Sequence, residues 1–454
     1  MSDRSAGHPW SRRALLRGVA TVPGAALAGA ATAGEGLARK VTAPVPVRIA
    51  TWNVYLGVAL DRLFEARSLA DVRTIAGDLL TSAREHPYEA RAGAIADALV
   101  AADADVIALQ EVARVRTTPR EGGGETETVV DLLAALRSAL AERGHPYEVA
   151  AATTTTDVTL PADTESGVVD LRLTDRVVVL TTPDVEVRDD SGDTYDHGLL
   201  FPVPETDRIV ALERGYCRAD LRIEGADLTV VSTHLESVSA WIRRGQALEL
   251  LDALGDGPVA VGADLNSGPG TTTTAYETVT ETLTDAHAAR RPDDDGDTCC
   301  QASSLRNERS RLASRIDAVL TRGASVLSAV ERLGADPADR VEATVDGESV
   351  TVWPSDHAGV AATVAFPSPT PTATPTGTAT PSPTDTPSPT PSPSPRPTRS
   401  PSPTARPTAA PSGPTTRGAS TAEREGAASG AGAGFGGLAA LVAFALGALA
   451  RSRE

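Results

Sequence analysis

The 454-residue sequence predicts an α/β fold, on three observations. Short apolar runs rich in β-branched residues recur along residues 47–366, as strands require. Longer stretches with helical spacing of apolar residues separate them. Several strands in succession end in, or enclose, one residue able to bind a metal or move a proton, and α/β sheets gather such residues at one edge.

Taken in order, Val47–Val54 is a strand ending near Asn53. Leu60–Glu85 is helical in pattern, and Ala90–Ala101 is an amphipathic helix with Ile95, Ala98 and Leu99 on one face. Asp105–Val112 is an apolar strand that finishes in Glu111, a carboxylate that is costly to bury without a partner. Val129–Arg143 is the next helix, and Val168–Thr174 and Arg176–Leu180 are strands among acidic loops. Tyr216–Ile223 and Ala226–Ser232 form a hairpin about Glu224-Gly225, whose second strand runs into His234. Trp241–Leu254 is a helix carrying Arg243 and Gln246.

The strand Val259–Asp264 delivers Asp264 and, two residues on, Asn266, placed by alternation on one side. A carboxylate there can take a proton from water or bind a metal, and an amide can orient a phosphate oxygen. Both residue types are also common in turns for their own hydrogen bonds. Ser314–Leu320 is a strand with Asp317 inside it, and Asp356-His357 follow near the end. A histidine after an apolar strand is more often structural than functional, so the case rests on joint occurrence. The acidic loop Asp293–Asp297 lacks the spacing of an EF-hand and reads as solvated.

In sequence order, Trp52-Asn53, Gln110-Glu111, Thr233-His234-Leu235, Gly262-Ala263-Asp264-Leu265-Asn266, Arg315-Ile316-Asp317 and Ser355-Asp356-His357 resemble the motifs of the endonuclease/exonuclease/phosphatase superfamily, the DNase I-like proteins. The resemblance spans nearly all of Val47–Phe366. It implies a four-layer α/β sandwich, two mixed β-sheets packed face to face with helices outside, and a metal-dependent phosphoester hydrolase. Matched motif by motif, it makes Glu111 the principal Mg²⁺ ligand, with Asn53 assisting metal and phosphate and Asp356 supporting the metal. It makes Asp264 the base or water-orienting residue, puts Asn266 on the phosphate and His234 at the phosphate or leaving group, and pairs Asp317 with His357. Mg²⁺ suits hard oxygen ligands, with Mn²⁺ or Ca²⁺ as alternatives. Where many members carry Gly-Asn-Ala-Ile-Leu-Ser, this chain has Thr174-Asp175-Arg176-Val177-Val178-Val179-Leu180, and Thr298-Cys299-Cys300-Gln301 has no counterpart.

Composition supplies the setting. A net charge of −18 with Lys40 as the sole lysine is expected of a surface kept hydrated in concentrated salt, and it argues against a basic nucleic-acid groove. At molar salt, screening over ~3 Å removes much of that repulsion of a polyanion, so DNA stays among the substrates considered. Of three cysteines, Cys217 could bridge to Cys299 or Cys300; otherwise all three are free thiols, because neighbouring cysteines rarely bridge each other.

Residues 1–40 contain Ser11-Arg12-Arg13-Ala14-Leu15-Leu16 and a small-residue cleavage site, Ala31-Thr32-Ala33, resembling a twin-arginine export signal for that translocase. Residues 367–429 form a Pro/Ser/Thr-rich stalk, in which roughly 48 extended residues at ~3.1 Å each reach about 150 Å. Residues 430–454 read as a hydrophobic anchor or sorting tail, resembling archaeal PGF-CTERM tails that a sorting protease removes, although Ala433-Gly434-Phe435-Gly436 lacks the motif's proline. A monomeric, exported, surface-tethered phosphodiesterase is therefore expected, with an endonuclease-like enzyme leading. A lipid or sugar phosphoesterase of sphingomyelinase or inositol-phosphatase type is the alternative within enzymes. A non-catalytic surface binding module is the alternative outside them.

Overall fold

The computed structural model describes residues 43–120, 124–328 and 330–368. The segments read as an export signal, a stalk and a C-terminal tail lie, apart from residues 367 and 368, outside the described residues. Among the described residues no helix is long and apolar enough to cross a membrane.

Two mixed sheets face each other. The nine-stranded sheet runs from edge to edge as Ser325–Val326, Gly359–Phe366, Val45–Asn53, Val106–Gln110, Gly167–Thr181, Arg114–Pro119 and Glu127–Asp131. Glu331–Leu333 adds to the second of these and Glu148–Thr164 to the fifth. The six-stranded sheet runs Thr284–Asp285, Asp317–Arg322, Val259–Asp264, Ala226–His234, Gly215–Ile223 and Glu186–Thr194. One neighbouring pair in each sheet is parallel: Val45–Asn53 with Val106–Gln110, and Ala226–His234 with Val259–Asp264. The inner layer joins Val47, Ile49 and Val179 of one sheet to Ala219, Val230 and Val319 of the other. Gly262 lets the sheets approach closely there, where a Cβ would lie 2.5 Å from Ala108 Cβ.

Helices Leu69–Glu85, Tyr88–Ala102 and Leu132–Glu142 cover the outer face of the larger sheet, and Ala240–Ala253 and Thr274–Thr280 cover that of the smaller. This is the four-layer sandwich. Most strand residues are buried from both sides, so the strands read as continuous apolar runs.

Several boundaries differ from the sequence reading. The helical stretch after Leu60 is a 3₁₀ turn, Leu60–Glu65, and then a helix restarted at Ser68, whose side chain and Asp71 form a capping box. The stretch from Val129 opens as the strand Glu127–Asp131; the helix starts only at Leu132, because Asp131 caps it by accepting from Ala134 N. The two strands read between Val168 and Leu180 are one, Gly167–Thr181, held along its length by the 17-residue strand Glu148–Thr164. Asp317 begins its strand instead of lying within it. The Glu224-Gly225 turn has positive φ at both residues, +48° and +90°, as a tight hairpin turn requires.

The cysteines are also corrected. Cys299 and Cys300 are disulfide-bonded to each other, and Cys217 is free. Cys217 sits in the apolar layer between the sheets, away from the 299–300 loop, and its thiol contacts Ala151 O at 3.7 Å.

Candidate active site

The site is built at strand ends. In the smaller sheet, His234 lies opposite Asp264, and Asp264 opposite Asp317, so three strands set these side chains in one row. In the larger sheet, Asn53 is paired with Gln110, and Glu111 follows at once with φ +56°, a left-handed turn that takes its carboxylate out of the strand. Asn266 likewise turns, at φ +48°, and its amide donates to Asp264 Oδ1 at 2.9 Å. The turn, and not strand alternation, brings Asp264 and Asn266 together.

One amide joins the two sheets' contributions. Asn53 Nδ2 lies 2.9 Å from Asp264 Oδ2 and 3.2 Å from Glu111 Oε1, while Leu56 N donates to Glu111 Oε2 at 2.8 Å. On one side of Asp264, His234 Nε2 is 3.3 Å from Oδ2; on the other, His357 Nδ1 is 3.9 Å from the same oxygen and 2.9 Å from Asp317 Oδ2. Asn266 Nδ2 donates to Leu235 O at 2.9 Å and lies 3.1 Å from His234 Nε2, a contact that is no hydrogen bond when Nε2 carries the ring proton. Asn53, His234, Asp264, Asp317 and His357 are buried, whereas Glu111, Asn266 and Asp356 are half-buried and open the site to solvent.

The two histidines differ in charge. Arg214 can only donate, and its guanidinium lies 2.9 Å from His234 Nδ1, which must therefore accept; the ring is neutral and carries its proton on Nε2, toward Asp264. Burial, Arg214 and His357 all hold its pKa well below the ordinary value. Burial would lower His357 too, but Asp317, Asp264 and Asp356 outweigh it and hold that ring as an imidazolium. Asp264 is pushed up to about 6 by burial and by Asp317, with His357 opposing. Asp356 is pushed up to about 7 by burial, relieved by His357 and reinforced by Glu111.

Residues to which the sequence reading gave no role hold the frame. Arg91, fully buried, donates to Pro354 O at 2.9 Å, Tyr55 O at 3.0 Å and Val54 O, tying the loop after Asn53 to that before Asp356. Ser355 Oγ donates to Asn53 O at 2.7 Å, and Trp52 Nε1 to His357 O at 2.9 Å. Gln110 bridges Thr51, Ser232 and Gly262 beneath the site. Gln246 and Arg243 hold the loop after His234, Gln246 by accepting from Glu236 N at 2.7 Å and Arg243 by donating to Ser237 O at 2.9 Å. Their helical spacing was visible in the sequence; the contacts of Arg214 and Arg91 had no local signal.

Beside Glu111 opens a cavity of 260 Å³, lined by Tyr55, Phe64, Asp175, Arg214, Glu236 and Val238 among others. Asp175 and Glu236 are buried and lie 3.7 and 3.9 Å from Arg214, too far for hydrogen bonds. Burial, and then Glu111, push Asp175 up to about 6.

Residues 50–357 match the Endonuclease/Exonuclease/phosphatase family profile. The chain belongs to that family. The family's enzymes are phosphoester hydrolases, nucleases and phosphatases among them, and generally use a divalent metal. Among solved structures, a family protein from Leptotrichia buccalis is 14% identical, with 70% of this chain and 100% of that one covered and a TM-score of 0.45. One from Bacteroides thetaiotaomicron is 15% identical, with 71% and 98% covered and a TM-score of 0.43. The mannosyl-6-phosphatase of the same organism is 15% identical, with 70% and 100% covered and a TM-score of 0.40. No curated protein matches the chain.

The residues present fit a divalent cation. Glu111 and Asp356, both half-buried at the open edge of the site, bring carboxylate oxygens there, and the Asn53 amide lies 3.2 Å from Glu111 Oε1. His357 Nδ1 is committed to Asp317, so the donors on offer are carboxylate and amide oxygens, the set that hard cations prefer.

Proposed function

We propose that this chain is an exported, surface-tethered, Mg²⁺-dependent phosphoesterase that hydrolyses phosphodiester bonds in an endonuclease-like manner. The observation that carries the reading is the placement of Asp264 between a neutral and a charged imidazole, with Asn53 linking it to Glu111. Glu111, Asn53 and Asp356 would hold the cation, which when bound supplies charge neutralisation for the phosphoryl oxygens.

The chain's own groups account for the rest. Asp264, ionised above about pH 6, orients a water and accepts its proton, which is general-base work. Asn53 Nδ2 and Asn266 N donate to its two oxygens, and His234 Nε2 lies 3.3 Å from Oδ2. His357 keeps its Nδ1 proton on Asp317 and turns Nε2–H outward, where it can donate to a phosphate oxygen as charge develops. Asn266, held by Leu235 O, orients the same phosphate.

A lipid phosphoester is the second reading, favoured by one observation. Val238, on the cavity wall, is 56% exposed and Trp241, three residues on, is 62% exposed, an apolar rim suited to an acyl or aryl leaving group.

The test is a panel of DNA, a bis-aryl phosphodiester, a phosphorylated sugar and a choline phospholipid, in high salt with Mg²⁺ or EDTA. The reading expects Mg²⁺-dependent cleavage of a diester, lost in Glu111→Ala. Cleavage of the monoester alone would move the chain to the phosphatases, and no turnover of any substrate would leave a binding module.

A further inference from the structure

The Cys299–Cys300 pair lies on the open side of His357. With Nδ1 taken by Asp317, the ring's other nitrogen, Nε2, is 3.9 Å from Cys300 Sγ. The backbone fixes this juxtaposition. Cys299 forms β-bridges to both Ser314 and His357, Ala358 N donates to Thr298 O at 2.8 Å, and Gln301 N donates to Asp356 O at 2.8 Å. Thr298 Oγ1 in turn accepts from the amides of Ile316 and Asp317, each at 3.1 Å. The pair is thus fastened to the same two segments that supply Asp317 and His357. Cys299 is buried and Cys300 exposed, so the sulfurs are reachable from solvent on one side only.

Sulfur, sulfur and imidazole nitrogen together lie within 4.8 Å of one another. Around a tetrahedral zinc with bonds of ~2.0–2.3 Å, neighbouring ligand atoms sit roughly 3.5–3.8 Å apart; Cys300 Sγ and His357 Nε2 are already 3.9 Å apart, whereas the two bonded sulfurs have to separate to that spacing on reduction. A site for Mg²⁺ needs oxygen; this one offers soft sulfur and nitrogen, so the two select different cations.

We propose that the reduced Cys299–Cys300 pair, with His357 Nε2, forms a site for a thiophilic divalent cation of the zinc and cadmium class, closed to it while the disulfide stands. A phosphine reductant breaks the S–S bond; it becomes a phosphine oxide with an oxygen from water, and the sulfurs become two thiols. Binding of the cation forms two metal–sulfur bonds and one metal–nitrogen bond. It releases three protons, one from each thiol and one from Nε2, while Nδ1–H stays on Asp317 and water fills the fourth position. His357 is then withdrawn from the phosphate, a consequence that rests on the phosphoesterase reading, whereas the site itself does not.

The full chain, oxidised or reduced with the phosphine, is titrated with micromolar Cd²⁺ while the ultraviolet thiolate-to-cadmium band and Mg²⁺-dependent diester cleavage are followed. The reduced protein is expected to gain the band and lose cleavage at least tenfold, with cleavage recovered on removing Cd²⁺ and restoring Mg²⁺. The oxidised protein shows neither change, and Cys300→Ser cleaves as the wild type does and resists Cd²⁺. No band in the reduced protein overturns the proposal, as does a band or inhibition of equal size in Cys300→Ser or in the oxidised protein, since Cys217 is present in all of them. A band without any diesterase activity sinks the phosphoesterase reading and leaves the site standing.

Discussion

His234 and His357 flank the same oxygen of Asp264, at 3.3 and 3.9 Å, and carry opposite charge states. Both are buried, so desolvation pushes both toward neutrality. What separates them is the partner on Nδ1: a guanidinium at His234, a carboxylate at His357. One side of the site therefore holds a hydrogen-bond donor of fixed tautomer, and the other a cation ready to meet a phosphate. A residue type at a strand end does not fix its role; the group behind it does.

The largest expected effect comes from the charged side. His357→Ala should lower kcat/KM for a diester by roughly 10²–10⁴-fold, the range for a general acid–base or charge-stabilising group. His234→Gln, which keeps a neutral donor, should cost only about tenfold, in line with a single neutral hydrogen bond. Equal losses in the two variants would erase the distinction.

Asp317→Asn sharpens the comparison through pH. His357 must stay protonated to act, so activity falls as pH rises through its pKa. Asp317 is the foremost of the groups that raise that pKa. The alkaline limb of the kcat/KM profile should therefore move to lower pH in Asp317→Asn. In Arg214→Gln the guanidinium's hold on Nδ1 is gone, so His234 should gain a proton at higher pH than in the wild type, read by imidazole NMR titration. No change in either measurement would mean that the facing groups do not set the two charge states.

How far the sequence reached follows the same division. Asn53, Glu111, Asp264 and Asp317 were legible because each stands at or beside the end of an apolar run, where burial makes a polar side chain conspicuous. Arg214 was not, since its contacts arise from pairing strands that place it beside a residue 20 positions on. Glu148–Thr164 was missed as a strand because alanine and threonine carry little apolar signal; its partner strand supplies the order. The segment at Val129 looked helical because Val129-Val130 and Leu132-Leu133 flank a single polar residue, and only the Asp131 cap divides strand from helix.

The smallest expected effect is on stability. Asp175, Asp264 and Asp356 have pKa values raised to about 6, 6 and 7 in the folded chain, so without metal the folded state binds more protons than the unfolded one between about pH 4 and 7. Their contribution is present below the unfolded carboxylate pKa and is lost as pH rises through those values. The Tm of EDTA-treated protein should fall by several degrees from pH 5 to 7.5, and Mg²⁺ should reverse part of the loss. A Tm that rises over that interval would contradict the raised values.

The most direct measurement is Mg²⁺-dependent hydrolysis of a bis-aryl phosphodiester by the wild type and by Glu111→Ala, at matched folding judged by circular dichroism. The arrangement of Glu111, Asn53 and Asp264 predicts turnover in the wild type, abolished by EDTA and reduced by at least 10²-fold in Glu111→Ala. Undiminished turnover in Glu111→Ala, or turnover indifferent to EDTA, would contradict it.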